Sequence, residues 1–375
     1  MAGLYLHIPF CRKKCVYCDF YFSTSFEGYR DKLIKTIANE IMFRSRELEE
    51  EVKSLYFGGG TPSVLKQKEF ELLFDALHKA YDLGALREST IEVNPEDINP
   101  ENLRVWRSYG FNRLSIGLQS TSERTLEWMN RGHGVEQVWK GIELSLQYGF
   151  SSLGIDLIYG LPKMTENDWE EQLQKIIQLP IQHLSAYCLT VEDKTALNKQ
   201  VASKKVILPA EERIVHQYRA LCAIMRQAGY DHYEISNFCT PGNPSLHNSS
   251  YWNKTSYLGF GPSAHSFTKN TRRWNIANNQ KYIAKAPEQE NWFDKEELSR
   301  QDHWNELFLT GFRSKKGVLK AELRNLGGLT TQETALMEEK KSRMLVYENE
   351  ESFYLSEASW LLADGLASEF FRINE

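Results

Sequence analysis

The amino-acid sequence predicts an α/β fold: a partial (β/α)6-type barrel followed by a smaller C-terminal α+β domain. Short apolar runs alternate with longer stretches whose apolar residues recur at three- and four-residue spacing, as at Leu33, Ile37 and Ile41. Strands joined by helical crossovers form a parallel sheet. The residues suited to chemistry follow the strand-like runs, where barrels carry their active sites, so a barrel is favoured over a doubly wound sheet.

Six strand-like runs with helix-like stretches between them occupy the first half of the chain. The strand-like runs lie at 4–8, 54–57, 90–93, 113–118, 152–158 and 183–189. The helix-like stretches lie near 29–51, 66–81, 101–109, 135–148 and 166–178. This regular alternation predicts βα units that repeat around a partial barrel.

The pattern changes after residue 189. A helix is predicted at 210–228 and further strands at 233–237 and 257–267, while the Pro-, Gly-, Asn- and Ser-rich stretch 240–256 is predicted as a long loop. We therefore expect a barrel core at 1–200, a barrel extension at 201–290 and a small, winged-helix-like α+β domain at 291–375.

Composition and charge exclude several classes of protein. The chain has 375 residues, of which 41% are hydrophobic and 25% charged, enough apolar mass for a large core. Its net charge of −5 disfavours a general nucleic-acid binder. Neither a signal-peptide pattern nor an apolar run of the ~20 residues that span a membrane is present. We expect a cytoplasmic protein without a transmembrane segment, and a peripheral contact at the inner face of the membrane stays open.

Three of the six cysteines crowd into the segment CRKKCVYC, directly after the first strand. Cys11, Cys15 and Cys18 have no second pair to complete a zinc site, which takes four ligands. Three thiolates in one loop suit three corners of a 4Fe-4S cluster whose fourth iron is left open. Zinc binding and merely structural thiols remain the alternatives.

The CxxxCxxC spacing is the signature of the radical S-adenosylmethionine (SAM) superfamily, which this chain resembles. GGGTP at 58–62 follows the second strand, where that superfamily places a glycine loop over SAM. Glycines would let backbone carbonyls approach the ligand without a Cβ in the way. The resemblance implies a 4Fe-4S cluster and SAM as cofactors.

Longer segments resemble one branch of that superfamily, the oxygen-independent coproporphyrinogen III dehydrogenases and the HemW-type haem chaperones. The matching segments include LYLHIPFC at 4–11, YFGGGTPS at 56–63, EVNP at 92–95, SIGLQS at 115–120, NRGH at 130–133 and IDLIYGLP at 155–162. The resemblance runs from about residue 4 to about residue 320 and is looser after that.

The resemblance also implies a SAM pocket. The residues that would form it are Tyr5, Tyr17, Gly58, Gly59, Gly60, Thr61, Glu92, Gln119, Arg131, Asp156 and Cys188. Within it, Glu92 would hold the ribose hydroxyls, because a carboxylate offers two acceptor oxygens. The ordinary alternatives are barrel-mouth carboxylates for Glu92 and Asp156 and a surface ion pair for Arg131.

Two features favour the chaperones over the dehydrogenases. The dehydrogenases typically carry a fourth cysteine two residues after the third, a position that Phe20 occupies here. They also carry a long N-terminal extension, whereas this chain begins at the first strand. The alternative is a dehydrogenase that makes protoporphyrinogen IX from coproporphyrinogen III by radical SAM decarboxylation.

A third feature is HNSSYW at 247–252, which matches the HNxxYW motif of the HemW-type proteins. His247 could supply a nitrogen to haem iron, with Asn248, Tyr251 and Trp252 beside the porphyrin, on an accessible loop. A structural turn with an aromatic anchor is the alternative. The resemblance implies haem as cargo and apo-haemoproteins of the respiratory chain as recipients, and the basic residues 12–14 could steer a flavodoxin-like electron donor.

Overall fold

Six parallel strands in chain order form the centre of the sheet in the computed structural model, which describes residues 1–373. They are β1 (Ala2–Ile8), β2 (Val52–Gly59), β3 (Glu88–Val93), β4 (Arg113–Gln119), β5 (Ser152–Tyr159) and β6 (His183–Cys188). Each strand pairs in parallel with the next one in the chain. This order is that of a barrel, and all six predicted strands are confirmed.

Helices connect these strands and pack on one side of the sheet. They are α1 (Arg30–Phe43), α2 (Gln67–Ala80), α3 (Pro100–Ser108), α4 (Glu123–Trp128), α5 (Val135–Gln147) and α6 (Glu166–Ile176). The prediction that the first helix continues to residue 51 is wrong. It ends at Phe43, and the next residue, Arg44, is buried with its guanidinium bound to Glu40 and Glu47.

The chain then extends both edges of the sheet. The elements are α7 (Ala196–Ala202), α8 (Glu211–Gln227), β7 (Asp231–Glu234), β8 (Asn237–Cys239), α9 (Leu246–Trp252), β9 (Ser256–Phe260), β10 (His265–Thr268), β11 (Thr271–Asn275), α10 (Asn279–Lys285) and β12 (Phe293–Glu297). The twelve strands follow the order β12-β11-β10-β9-β1-β2-β3-β4-β5-β6-β8-β7, so the described sheet is an open, partial barrel.

Three predictions in this region are wrong. The stretch 240–256 is not a continuous loop, because it contains α9. The stretch 257–267 is two antiparallel strands, since Gly261 and Ser263 turn the chain with φ angles of 98° and 64°. The stretch 233–237 spans the turn between β7 and β8, which form a hairpin.

Helices and a small antiparallel sheet follow in the C-terminal part. They are α11 (Arg300–Gly311), β13 (Val318–Leu319), α12 (Lys320–Asn325), α13 (Thr331–Ser342), β14 (Val346–Glu348), β15 (Ser352–Leu355) and α14 (Ala363–Ser368). The strand order is β13-β15-β14, an α+β arrangement. Within residues 1–373, no helix combines the length and the apolar character that a membrane crossing requires.

The two faces of the central strands differ in character because side chains alternate along a strand. In β1, Leu4, Leu6 and Ile8 are fully buried and share one apolar core with the helices. The alternate residues Tyr5 and His7 face the inside of the partial barrel, where they contact polar and aromatic side chains. The outward face stabilises the fold, and the inward face is left for chemistry.

Candidate functional site

The three clustered cysteines lie in one loop, which we call the cluster loop (residues 9–29, between β1 and α1). Backbone hydrogen bonds fix this loop: Cys11 donates to Ser23, and Val16 donates to Met129 after α4. All three thiols are free and only partly exposed. Burial raises the pKa of Cys11 to about 11 and that of Cys18 to about 12.

Two side chains donate hydrogen bonds to these sulfur atoms. The Thr61 hydroxyl lies 3.4 Å from Cys11 Sγ, and Arg131 Nη1 lies 3.5 Å from Cys15 Sγ. Three free thiols on one loop with hydrogen-bond donors at their sulfurs fit an iron–sulfur cluster, whose potential such donors tune. Since a cluster needs thiolates, binding would have to overcome the raised pKa values.

The glycines at the carboxyl end of β2 are required by their protein neighbours. A Cβ on Gly60 would lie 2.7 Å from the Ile8 carbonyl oxygen and 2.8 Å from that of Phe10. On Gly58 it would lie 2.8 Å from the Tyr56 ring and 2.9 Å from Glu92 Oε1. The sequence suggested that these positions are glycines so that their carbonyls can approach a ligand. The structure adds a second reason, because the segment packs directly on the cluster loop and on the Glu92 carboxylate.

Glu92 is held at the end of β3 by the neighbouring strand. Its carboxylate accepts hydrogen bonds from the Tyr56 hydroxyl (2.8 Å, to Oε1) and the Gly59 amide (3.2 Å, to Oε2). Burial raises the pKa of Glu92 to about 7. The carboxylate is therefore fixed in place and changes its charge near neutral pH.

Arg131 joins the cluster loop to the strand ends. Its Nη2 donates to Asn94 Oδ1 (2.8 Å) and to the Gly117 carbonyl (2.7 Å), beside the contact of Nη1 with Cys15. The surface ion pair weighed as its alternative is not what the structure shows, because these partners surround a largely buried guanidinium. Gln119, also at the end of β4, has a φ of 70°, a left-handed conformation that costs energy in a residue with a side chain.

The remaining predicted pocket residues lie at the same edge of the sheet. Asp156 accepts hydrogen bonds from the Ser115 hydroxyl at 3.3 and 3.2 Å, and burial raises its pKa. Burial also raises the pKa of Tyr17, which lies beside Arg131 and Cys15. Cys188 ends β6, with its thiol 3.9 Å from the Leu189 carbonyl oxygen. The structure thus gathers the predicted residues at one edge of the sheet, while the Cys188 thiol itself lies beside Tyr159 and packs against the apolar core.

The HNSSYW motif folds as α9 and closes the opposite end of the barrel interior. Glu88, the first residue of β3, accepts hydrogen bonds from the amides of Leu246 (2.8 Å) and His247 (2.9 Å) and from the Ser245 hydroxyl (3.1 Å). Glu88 and Glu92 are four residues apart on one strand and face the same side. We call α9 the barrel floor, because it is bound at the amino-terminal end of β3, four residues before Glu92 on that strand.

His247 is not on an accessible loop, which corrects the expectation from the sequence. Its side chain is buried, with 1% of the residue exposed. Both ring nitrogens have partners: Nδ1 lies 3.1 Å from Ser54 Oγ, and Nε2 lies 3.0 Å from the Tyr251 hydroxyl. The ring also stacks on Tyr56 at 4.9 Å. In this conformation neither nitrogen is free for haem iron, and the structural alternative describes the contacts of His247.

The other residues of the motif lie nearer the surface. Tyr251 is 37% exposed, and Asn248 and Trp252 are partly exposed. Arg313 lies over the Trp252 ring, 5.9 Å from its centroid. The aromatic edge of the barrel floor is therefore accessible although its histidine is not.

Sequence reasoning gave no role to Tyr56, which the structure places at the centre of the site. It joins Glu92 by a hydrogen bond and His247 by stacking, so it links the Glu92 end of the interior to the barrel floor. His7 was also missed: its Nδ1 accepts from the Tyr5 hydroxyl (3.1 Å) while its Nε2 lies 2.8 Å from the Tyr21 carbonyl oxygen. Period-two alternation along β1 and β2 is the signal that could have placed both side chains inside.

Comparisons with known proteins agree with this arrangement. Residues 5–176 match the sequence model described as the radical SAM superfamily. The chain is 34% identical to Heme chaperone HemW of Lactococcus lactis, over 86% of this chain and 84% of the relative. It is 30% identical to Heme chaperone HemW of Bacillus subtilis, over 99% of both chains.

The fold has a counterpart among solved structures. Coproporphyrinogen III oxidase (HemN) from Escherichia coli, described as a radical SAM enzyme, superposes with a TM-score of 0.83 at 24% sequence identity. The superposition covers 98% of this chain and 89% of the other. At this identity the likeness establishes the fold of the chain and leaves its activity to other evidence.

Proposed function

Because this chain belongs to the HemW family of haem chaperones, within the radical SAM superfamily, we propose that it binds haem and transfers it to apo-haemoproteins. The observation that carries this proposal is identity of 30–34% to two HemW chaperones, over 84% and 99% of their length. Apo-haemoproteins of the respiratory chain are the recipients that we propose.

Coproporphyrinogen III decarboxylation is the second candidate, because HemN, whose fold this chain shares, is a coproporphyrinogen III oxidase. Phe20 argues against it, because it occupies the position where that branch typically carries a fourth cysteine. Phe20 is 65% exposed within the cluster loop, and its ring supplies no thiol at that position. The chaperone is accordingly the function that we adopt.

We further propose that Cys11, Cys15 and Cys18 bind the 4Fe-4S cluster. When bound, the cluster supplies electrons to SAM at its open iron. Among the protein groups, Thr61 and Arg131 donate to the thiolate sulfurs and hold the cluster loop against β2 and β4.

The SAM pocket would lie between the cluster loop and the strand ends. We propose that Glu92 accepts from the ribose hydroxyls and that Gly59, Gly60 and Thr61 contact the methionine part. The support is the shared location of these residues at the carboxyl ends of β2 and β3, where barrel active sites lie. The remaining pocket residues, assigned by resemblance alone, would complete the lining: Tyr5, Tyr17, Gly58, Gln119, Arg131, Asp156 and Cys188.

For haem, we propose that the exposed edge of α9 contacts the porphyrin and that His247 positions that edge. Tyr251 and Trp252 offer flat apolar faces, which suit a porphyrin ring, and Asn248 lies on the same short helix. His247 contributes by holding the Tyr251 hydroxyl from below. This division of roles fits the burial of each side chain.

The test is a direct comparison of the two reactions on one preparation. The cluster is reconstituted anaerobically, and haem binding is followed by absorbance, with transfer measured to an apo-haemoprotein such as apomyoglobin. In parallel, coproporphyrinogen III is incubated with SAM and a reductant, and its products are separated by chromatography. Haem transfer without a decarboxylated porphyrinogen supports the proposal. Protoporphyrinogen formed together with methionine would overturn it.

A further inference from the structure

A group of side chains whose types can bind metals lies outside the barrel interior. Cys222 on α8, His232 on β7 and Glu357, at the start of the 3₁₀ segment Glu357–Leu362, present one donor atom each, and the three atoms lie within 4.8 Å of one another. His232 Nδ1 is 2.7 Å from Glu357 Oε1 and 3.9 Å from Cys222 Sγ. No local sequence motif indicates this group, since Glu357 lies 125 positions after His232.

Both ring nitrogens of His232 face hydrogen-bond acceptors. Its Nδ1 faces the Glu357 carboxylate, and its Nε2 lies 3.4 Å from the Ile235 carbonyl oxygen. A neutral imidazole has a single N–H and can donate to only one of these two acceptors. A cation at Nδ1 would leave the ring proton on Nε2, and donation from there to a backbone carbonyl is the usual arrangement of histidine metal ligands.

The surroundings of the group suit a bound cation. The His232 ring is fixed on both sides, stacked on Phe238 at 3.8 Å and edge-on to Trp360 at 4.3 Å. The Tyr218 hydroxyl is buried without a hydrogen-bond partner in the described part of the chain. It lies beside Cys222, whose thiol pKa is raised to about 12 by burial and by the Glu357 carboxylate although Tyr218 acts in the opposite direction, so a metal would have to displace the thiol proton.

Access to the group is through the carboxylate. Cys222 is 4% exposed, whereas a quarter of the Glu357 side chain is exposed. Arg226 binds the other oxygen of Glu357, Oε2, and so leaves Oε1 directed at His232. The donor set is a thiolate, an imidazole and a carboxylate, and Arg226 already offsets one of the two negative charges.

We propose that Cys222 Sγ, His232 Nδ1 and Glu357 Oε1 bind one divalent cation of the zinc class, separate from the iron–sulfur cluster, with water in the fourth position. Sulfur, nitrogen and oxygen are the donors that zinc takes, at about 2.0–2.3 Å. The present separations require the histidine–carboxylate pair to open slightly and the thiol to move inward. The alternative is a hydrogen-bonded histidine–carboxylate pair beside an inert buried thiol.

The proposed site would cross-link three elements, one of which is distant from the other two in sequence. It joins the 3₁₀ segment of the C-terminal part to α8 and β7, which continue the barrel. Binding to the folded chain alone would stabilise it by mass action, so zinc should raise the melting temperature. This effect does not depend on haem or SAM, so it can fail independently of the proposed function.

The experiment uses cluster-loaded protein, in which iron occupies the thiols of the cluster loop. Zn²⁺ is titrated anaerobically, and zinc and iron per chain are measured by mass spectrometry after gel filtration. We expect one zinc per chain with no loss of iron. We expect Cys222→Ser and Glu357→Gln each to weaken zinc binding by more than about tenfold, the lower bound for losing even an outer partner. Co²⁺ should show thiolate charge-transfer absorption that Cys222→Ser abolishes.

Cys239→Ser is the matched control, because Cys239 is a buried free cysteine on β8 with no place in the group. It should bind zinc as the wild type does. The proposal is overturned if the wild type takes up no zinc while its iron is retained, or if both variants keep wild-type affinity. Glu357→Gln, a change at a partly exposed side chain, keeps the test decisive if Cys222→Ser does not fold.

Discussion

Glu92 lies at the end of β3 with its carboxylate 2.8 Å from the Tyr56 hydroxyl. Burial, together with the charge of the neighbouring Asp156, raises its pKa to about 7, although hydrogen bonds from Tyr56 and Gly59 act in the opposite direction. The charge of this single residue therefore depends on pH in the neutral range. Any ligand whose hydroxyls need the charged carboxylate would bind differently at pH 6 and pH 8.

We predict that SAM binds more tightly as pH rises through about 7 and that Glu92→Gln removes most of this dependence. Below its pKa Glu92 is protonated, and the neutral acid is a weaker acceptor for ribose hydroxyls than the carboxylate. Hydrogen bonds to charged groups contribute about 1.5–3 kcal/mol, so we expect affinity to fall roughly 10- to 100-fold in Glu92→Gln at pH 8. Calorimetric titration of SAM into cluster-loaded protein at both pH values measures this.

Glu101→Gln is the control for that measurement, since Glu101 is an exposed carboxylate in the first turn of α3. It should retain the affinity and the pH dependence of the wild type. An unchanged SAM affinity in Glu92→Gln at pH 8 would show that Glu92 does not contact the ligand.

At the scale of elements, the loop after β2 is held against the cluster loop by close backbone contact at Gly60. A Cβ at this position would lie within 2.9 Å of three backbone atoms of Ile8 and Phe10, and backbone cannot rotate away as a side chain can. Because Gly60 has no side chain, the loop can come close enough to the cluster loop for Thr61 to contact Cys11.

We predict that Gly60→Ala destabilises the protein by about 1–3 kcal/mol, as overpacking does, and lowers SAM affinity. Gly28→Ala is the matched control, because a Cβ on Gly28 would have no atom within 4 Å. Chemical denaturation compares the free energy of unfolding of the two variants. Equal stability of Gly60→Ala and wild type would mean that the loop is free to shift away from the cluster loop.

The barrel floor makes a separate prediction about His247. His247→Ala removes a buried ring that stacks on Tyr56 and bonds to Ser54 and Tyr251, so we expect a loss of about 2–4 kcal/mol in stability. The haem absorption maximum should stay in place, because His247 does not ligate iron in this proposal. Ser249→Ala, in the same helix, should change neither quantity. A shifted haem spectrum with normal stability would make His247 a direct ligand.

The same elements show how far a sequence can be read. The six central strands were predictable because each is a short apolar run between longer periodic stretches. Helix α9 was not, because Leu-His-Asn-Ser-Ser-Tyr-Trp has no apolar periodicity and its first amides are bonded by Glu88, far away in the chain. The gathering of Cys11, Cys15 and Cys18 on one loop was predictable from local spacing, and their role as cluster ligands stays a prediction. The burial of His247 and the convergence of Cys222, His232 and Glu357 depend on long-range packing that local spacing does not encode.

At the scale of the whole molecule, the cluster loop is basic on a chain whose net charge is −5. Arg12 is engaged with the buried Asp97. The neighbouring Lys13 and Lys14 are exposed and make no ion pair within the described residues. The exposed ring of Phe20 lies in the same loop, next to the exposed Asp19. An acidic flavodoxin has complementary charge.

We predict that flavodoxin reduces the cluster more slowly as salt increases, because the Debye length is only about 10 Å at 0.1 M. Reversing both charges in Lys13→Glu/Lys14→Glu should slow the reduction by about tenfold at low salt, the lower range of electrostatic steering, and flatten its salt dependence. Lys315 and Lys316 are an exposed adjacent pair elsewhere on the chain. In the control variant Lys315→Glu/Lys316→Glu, flavodoxin should reduce the cluster at the wild-type rate. Stopped-flow bleaching of the cluster absorbance measures all three proteins. Equal rates for both reversals would mean that overall charge, and not this loop, attracts the donor.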